Sequence, residues 1–439
     1  MIRLRGTEVF LLNYADDVCL IASNQSDLQI SLNRLADYAN EFELIINVDK
    51  SFCMAFRGKL KSTLNLNVSV GGRPITQVKE FKYLGYYLSE TLCLRESAKR
   101  MINNANGALA QLSQKIANLH ANYPFDIAET MFFATVIPSA SYGCEIFGPT
   151  RESDLIAIRF FRTFFGLERK PPIDAIYYLT GWLPPTICMF ERQLAFLVKM
   201  AKCETDSLCH KAVVEAVELA KKRKGCLFRN AVDGWKGHHF NWGSPIADII
   251  EELRHLNPRT IRERLATEFR SDLNQRLQLN AERVGRMAFL KTFCVPVSRF
   301  FFLDILPRHL AAAMLQMLTS GHHLKIETGR RDGFTKEQRL CKLCGTVEDE
   351  KHALFICSAF IVEREEFITR INRTWNTTDD ALIDHVKAIF ATEPTRDNGK
   401  IDNLFALANY VRRLLKAVKE SYEGSLLLYP EDWLIESVL

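Results

Sequence analysis

Residues 8–14 and 18–23 are apolar at nearly every position and rich in strand-forming types, with only Ala15 to Asp17 between them. That spacing predicts a tight hairpin. Neither arm alternates apolar with polar, so the hairpin is expected to be covered on both faces, or nearly so. The period then changes. In SDLQISLNRLADYANEF, Leu28, Leu32, Leu35, Ala36, Ala39 and Phe42 recur at helical spacing and predict an amphipathic helix. Ser26 and Gln29 have the form of a capping box at its start. Short strands are expected in SFCMAF, LNVSV and FKYLGYYL, with Gly71-Gly72 as a turn. Residues 1–90 therefore read as α+β, antiparallel strands with a helix laid on them.

From about Leu92 the pattern is helical. CLRESAKRMINNANGALAQLSQKIANL forms one long window, and further windows are divided at Pro138, Pro171-Pro172, Pro184-Pro185, Pro258 and Pro307. KKRKGC and DGWKGHHFNWGSP mark a loop or domain boundary. The expected layout is a strand-and-helix region at 1–90, a helical region at 91–235, a basic helical region at 236–335, a compact Cys/His segment at 336–362 and terminal helices at 363–439.

Composition changes this picture little. A chain of 439 residues, 47% hydrophobic and 25% charged, is that of an ordinary globular protein of two or three domains. The distribution of charge says more than the net of +5: residues 254–339 hold sixteen Lys+Arg against eight Asp+Glu, while residues 1–90 hold ten of each. A local basic excess suits phosphate contacts, or a solvated helical face. The most apolar stretch, FFFLDILPRHLAAAMLQML, is broken by Asp304, Arg308 and His309, so no membrane span is expected. The N-terminus has no signal-peptide core, and twelve dispersed cysteines favour a reducing, intracellular compartment. Cytoplasm and nucleus both fit.

Two segments carry candidate chemistry. Asp16 and Asp17 repel each other, and a hairpin tip makes the pair tolerable because water or a cation can reach it. Mg²⁺ takes one or two carboxylates plus substrate phosphates, so the pair is a candidate magnesium site; a solvated turn is the plain alternative. The second segment is CKLCGTVEDEKHALFIC, which spaces Cys341, Cys344, His352 and Cys357 as Cys-x2-Cys-x7-His-x4-Cys. Ligand type and spacing fit a closed structural zinc site, against three buried thiols and a surface histidine. Nearby, GRRDGFTKEQR supplies phosphate-seeking charge at Arg330 and Arg331.

Tyr14-Ala15-Asp16-Asp17 within an apolar hairpin resembles the catalytic turn of reverse transcriptases. The downstream order is similar too. LIINVDKSFCMAF resembles the Gly-Leu-x-x-Asn-x-x-Lys-Thr segment of non-LTR (LINE-type) retrotransposon enzymes, with Asn47 and Lys50 at matching positions, Glu43 where Gly is usual and Ser51 where Thr is usual. FKYLGYYLS resembles the hairpin that grips the primer end. IPSASYGCEIFG, RFFRTFFGLERKPP and GWLPPTICMFERQLAF resemble the helical region after the palm, and the Cys/His segment resembles the C-terminal zinc knuckle of such polyproteins. The resemblance implies that Asp16 and Asp17 are catalytic and bind Mg²⁺. Lys50 would protonate or neutralise the pyrophosphate leaving group, or be a solvated strand-end lysine. Tyr83, Leu84 and Gly85 would lie in the primer-gripping hairpin, with strand packing as the alternative for the first two.

In this family another palm Asp and the nucleotide-binding fingers precede the catalytic turn, and no segment here supplies them. The expectation is the C-terminal fragment of an RNA-directed DNA polymerase, acting on an RNA template and a DNA primer by two-metal nucleotidyl transfer. It would be inactive without the fingers and palm portion of its polyprotein. The alternatives are a nucleic-acid-binding zinc protein without catalysis, and a protein-binding scaffold.

Overall fold

The computed structural model describes residues 2–56, 64–118, 123–167, 171–222, 244–284, 287–292, 299–371, 379–391 and 398–423. Most of the expected boundary around KKRKGC and DGWKGHHFNWGSP lies outside them. The chain forms two compact units, each assembled from three stretches: Met1–Ala105, Ser139–Ser153 and Pro185–Leu265 in one, Asn106–Pro138, Asp154–Pro184 and Ala266–Leu439 in the other.

The first unit holds all the strands among the described residues. Ile2–Leu4 pairs with Thr7–Val9, Leu11–Tyr14 with Asp17–Leu20, Ser69–Val70 with Arg73–Pro74 and Glu80–Tyr83 with Tyr86–Ser89, all antiparallel. Phe52–Cys53 pairs with Thr76–Gln77 in parallel. Each sheet has two strands, and Gly71-Gly72 makes the expected turn. The helix Gln25–Glu41 covers a small core of Leu32, Cys53, Val68 and Val70, with Leu20, Leu28, Ala36, Ile46, Val48, Leu66 and Ile75 at its rim.

The start of that helix corrects the expected capping box. Asn24 is the cap, its side chain accepting from the Asp27 N–H at 2.8 Å. Gln29 is turned elsewhere: its amide donates to the Ser69 carbonyl and accepts from the Ser69 N–H, at 2.8 and 2.9 Å. Gln25, one turn earlier, makes the same pair of bonds with Asn67 at 3.2 Å. Two amides four apart on a helix thus meet two backbone units two apart on an extended segment, and stand in for a missing neighbour strand.

A helical layer completes the first unit. Pro185–Lys202, Leu208–Lys221 and Ile246–His255 interlock through Leu194, Val198, Ala201, Val213, Val217, Ala220, Ile249 and Leu253, all essentially inaccessible. Burial of a Leu- or Val-sized side chain contributes about 1.5–3 kcal/mol, so this layer has ample driving force.

The second unit is built on rings. In RFFRTFFG, aromatics at i, i+1, i+4 and i+5 all lie on one side of the helix Arg151–Phe165, and Phe160, Phe161, Phe164 and Phe165 pack with Phe125, Phe132 and Trp182. Phe132 stacks on Phe160 at 4.3 Å. Arg299 is held beside these rings by Glu129 at 2.7 Å and Asp304 at 2.6 Å, and burial of the charge is offset by both carboxylates.

Pro138 does not divide the helices as expected. Phe125–Met131 runs into a π-helical turn at Phe132–Val136 and on into Ile137–Ser141. Proline lacks an N–H and its ring collides with the carbonyl four residues back; the wider π turn takes up that defect. The other prolines act as helix starts: Pro185 and Pro258 are first helical residues, and Pro172 and Pro307 are caps.

Candidate catalytic hairpin and metal centre

Tyr14 pairs with Asp17 across the hairpin, leaving Ala15 and Asp16 as a two-residue turn. Ala15 takes a positive φ of 54°, a left-handed conformation that costs a non-glycine residue about 1–2 kcal/mol. Asp16 and Asp17 are both exposed, and among the described residues neither forms an ion pair. Their oxygens are therefore free for a cation.

The expectation that this hairpin is covered on both faces is corrected. Leu11 and Leu12 are each 39% exposed, Val18 45% and Tyr14 64%. A two-stranded ribbon buries nothing by itself and needs another layer. The small core beside it takes in Leu20 alone from this ribbon.

The second hairpin lies close to the first. Tyr83 has its pKa raised, chiefly by burial and further by Cys19 and by the negative charge of Asp17, so its phenol sits within electrostatic reach of the carboxylate pair. Leu84 (φ 49°) and Gly85 (φ 80°) make a tight turn with both central residues left-handed. Tyr142, from SYGCEIFG, locks that turn by donating its hydroxyl to the Leu84 carbonyl at 2.5 Å. A Cβ on Gly85 would stand 3.0 Å from the Tyr142 ring, and one on Gly143 would stand 2.7 Å from the Tyr86 ring. Tyr142 and Gly143 thus fix the hairpin, a role that sequence reasoning missed. The only signal was Tyr-Gly in a small-residue stretch.

Lys50 ends a short 3₁₀ turn, Val48–Lys50, and its side chain is exposed. Asn47 accepts from the Lys50 N–H at 3.2 Å while Ser51 donates to the Asn47 carbonyl at 2.8 Å, so Asn47 and Ser51 shape the turn. No contact joins Lys50 to Asp16 or Asp17. Glu43 adopts φ 55° at the end of the helix, with Leu44 N–H bonded to the Ala39 carbonyl at 2.7 Å and Glu43 N–H to Asn40 at 3.4 Å. That is a Schellman termination with Glu in the position glycine prefers.

In the second unit, Cys341, Cys344, His352 and Cys357 converge, their ligand atoms all within 4.8 Å of one another. The turn is built by Gly345 (φ 79°), whose N–H bonds the Cys341 carbonyl at 2.8 Å, and by the Cys341 N–H on Thr346 at 2.7 Å. A π-helical turn over His352–Ile356 then brings residues five apart onto one side: the Cys357 N–H bonds the His352 carbonyl at 2.8 Å. The Cys344 sulfur is 3.2 Å from His352 Nε2. Burial pushes the Cys341 thiol up to about 12 and raises Cys357. At Cys344 burial raises the pKa and hydrogen bonds from Thr346 and the neighbouring thiols lower it, with a net fall. Three thiols and an imidazole at this separation could hold a metal ion, and their type is that of a closed zinc site.

Acidic residues around the cluster serve the fold, which the EDE run did not reveal. Glu348 is buried and accepts from the Lys325 N–H at 2.5 Å and the Tyr422 hydroxyl at 2.8 Å. Asp349 caps the His352 N–H at 2.7 Å, and Glu350 pairs with buried His322 at 3.0 Å.

The basic excess is largely used internally. Arg276 pairs with Asp174, Arg299 with Glu129 and Asp304, and Arg308 donates to the Phe164 carbonyl. Arg330 pairs with buried Glu327 at 2.5 Å, so its charge is already matched; Arg331 is exposed and donates to the Glu327 carbonyl at 3.3 Å. Among the described residues no helix is long and apolar enough to cross a membrane.

No curated protein matches the chain. The strand-and-helix region does find a counterpart: residues 1–88, which hold the Asp16–Asp17 tip, the Glu43 helix end, the Asn47–Ser51 turn and the Tyr83–Gly85 hairpin, match the family described as reverse transcriptase (RNA-dependent DNA polymerase).

Proposed function

We propose that this chain is part of a non-LTR retrotransposon reverse transcriptase, with Asp16 and Asp17 as magnesium ligands and the Tyr83–Gly85 hairpin placed to hold a DNA primer end on an RNA template. The observation that carries this is an unpaired carboxylate pair at a strained turn, with Tyr83 beside it, inside the stretch that matches the family. The residues fit the ion: two adjacent, exposed, unpartnered carboxylates are the ligand type Mg²⁺ takes from protein. When bound, Mg²⁺ would stabilise the attacking and leaving oxygens of nucleotidyl transfer. The chain's own contribution is to hold the two carboxylates on a short ladder and, through Tyr142, to fix the neighbouring turn. Lys50, exposed on its rigid turn, is the candidate for the leaving pyrophosphate.

Two carboxylates from one turn are fewer than two ions need, and among the described residues no third acidic group joins them in a metal-sized cluster. The described residues by themselves are therefore expected not to extend a primer. Mn²⁺ titration followed by NMR tests the reading: resonances of Ala15 to Val18 should broaden, and Asp16→Asn with Asp17→Asn should abolish the effect. Absence of any selective broadening would remove the metal site. Templated, Mg²⁺-dependent extension by the purified chain would refute inactivity.

A second reading, a zinc protein that binds nucleic acid without catalysis, is favoured by the contrast between the converged Cys/His set and the open carboxylate pair. Zinc at a ratio of one per chain, lost in Cys344→Ser, supports it; nucleic-acid binding without any divalent-ion effect at Asp16 would prefer it.

A further inference from the structure

Beside the Cys/His cluster, aromatic rings and ammonium groups alternate in a row. Lys325 Nζ lies 5.7 Å from the centre of the Phe334 ring and 5.5 Å from that of Tyr422, and Lys342 Nζ lies 4.7 Å from Tyr422 on its other contact. Among the described residues neither lysine pairs with a carboxylate. Cation–π contacts of this kind contribute about 0.5–1 kcal/mol at exposed sites, and they leave the positive charge unneutralised. Phe334 is 44% exposed, a large ring kept at the surface beside the Lys325 ammonium.

The surrounding backbone is built to hold Phe334 there. Arg339 donates to the Phe334 carbonyl from Nε and Nη2 at 3.1 and 2.8 Å, and to the Ile326 carbonyl at 3.2 Å. Its guanidinium is thus fixed by carbonyl acceptors, with the Glu337 carboxylate within electrostatic reach. Gly329 makes room for it, since a Cβ there would stand 2.8 Å from Arg339 Cγ. Gly333, at φ 80°, turns the chain just before the ring.

We infer that the Phe334–Lys325–Tyr422–Lys342 row is a platform for single-stranded nucleic acid, bases stacking on the part-exposed Phe334 ring while phosphates meet Lys325 and Lys342. This rests on the nucleic-acid reading above and moves the contact from Arg330, whose charge Glu327 already matches, to the row. The charge of the two lysines complements phosphate, and a part-exposed ring lies beside it. A protein partner would find the apolar ring but would not need two lysines without a carboxylate partner. A polyanion without bases would meet the cations and ignore the ring. Ring stacking and phosphate contact together describe a single strand.

The test uses the full chain loaded with zinc and a fluorescent twelve-nucleotide single strand, read by anisotropy, beside an abasic strand of equal length and heparin. Wild type is expected to bind the oligonucleotide about tenfold more tightly than the abasic strand, the scale of one stacked base. Phe334→Ala should remove that preference. Lys325→Gln with Lys342→Gln should flatten the salt dependence by about one to one and a half logarithmic units per tenfold change in salt. Unchanged zinc content and thermal midpoint establish that the variants fold. If wild type binds but both variants bind equally well, or if oligonucleotide, abasic strand and heparin compete alike with no effect of Phe334, the platform is refuted while nucleic-acid binding elsewhere stands. If wild type binds no nucleic acid at all, both the platform and the reading beneath it fall.

Discussion

The Cys/His cluster and the carboxylate hairpin are both candidate metal centres, and they are built in opposite ways. The cluster draws four ligands from seventeen consecutive residues and brings them together by local devices, a left-handed glycine and a π turn. Buried Glu348 and Glu350, with half-buried Asp349, then hold the surrounding chain. The hairpin offers two ligands at the end of a ribbon whose apolar side chains stay exposed. The first site is closed by its own segment; the second has open edges and an open coordination sphere. A centre that folds locally can be judged from a short segment, whereas one drawing on distant strands shows only the share that its segment contributes.

The largest expected effect follows from that closure. Structural zinc in small knuckles supplies on the order of 10 kcal/mol of apparent folding free energy, so chelation or His352→Ala should unfold the region around 336–362. Proteolysis should then cut there first, and acid should do the same, because protons compete for thiolates that the metal needs. Chelation should leave the 11–20 hairpin unaffected, as seen by NMR. A hairpin that melted with the knuckle would break the comparison.

Next is the carboxylate behind the cluster. Glu348→Ala leaves the Lys325 N–H and Tyr422 hydroxyl without their acceptor, and bonds to a buried carboxylate are each worth about 1.5–3 kcal/mol. A loss of about 3 kcal/mol in chemical denaturation is expected. Val18→Ala in the hairpin removes a side chain that is 45% exposed and should cost less than about 1 kcal/mol. Similar costs at the two positions would mean that the hairpin is packed in solution.

These contrasts mark what could be seen in the sequence. The ligand spacing of Cys341 to Cys357 was legible because every ligand is local. The amphipathic helix was legible from its period, the hairpin from two apolar runs around a short break, and the Gly71-Gly72 turn from its residue types. Partners far apart in the chain were not: Gln29, which bonds to residue 69, looked like helix-start chemistry, Gln25 on residue 67 gave no signal, and Tyr142 on Leu84 spans 58 positions. Nor could a run of basic residues show that Arg276, Arg299 and Arg308 are paired within the fold, since Asp174, Glu129 and the Phe164 carbonyl are brought in by packing. Pro138 misled for a related reason, because the π turn that absorbs it leaves no signature in composition.

A smaller effect sharpens the hairpin side. Glu43 sits at φ 55° where glycine carries no Cβ penalty. Glu43→Gly should therefore stabilise the strand-and-helix region by about 1 kcal/mol, less the extra entropy of a glycine in the unfolded chain. Glu43→Ala keeps the strain and should give no gain. Measured by hydrogen exchange of residues 28–40, the difference between the two variants isolates the backbone term.

The smallest stability effect is expected at the proposed magnesium ligands. Asp17→Asn removes one of two adjacent, exposed, unpaired charges, so it should change stability by no more than about 0.5 kcal/mol, with easing of repulsion as the only favourable contribution. The same change should abolish selective Mn²⁺ broadening at Ala15 to Val18. Folding and ion binding separate here because the carboxylate touches nothing that holds the hairpin together, whereas His352 at the other centre cannot be changed without losing both. A substantial loss of stability in Asp17→Asn would show that the carboxylate has a structural partner, and the hairpin tip would then have to be regarded as a satisfied turn.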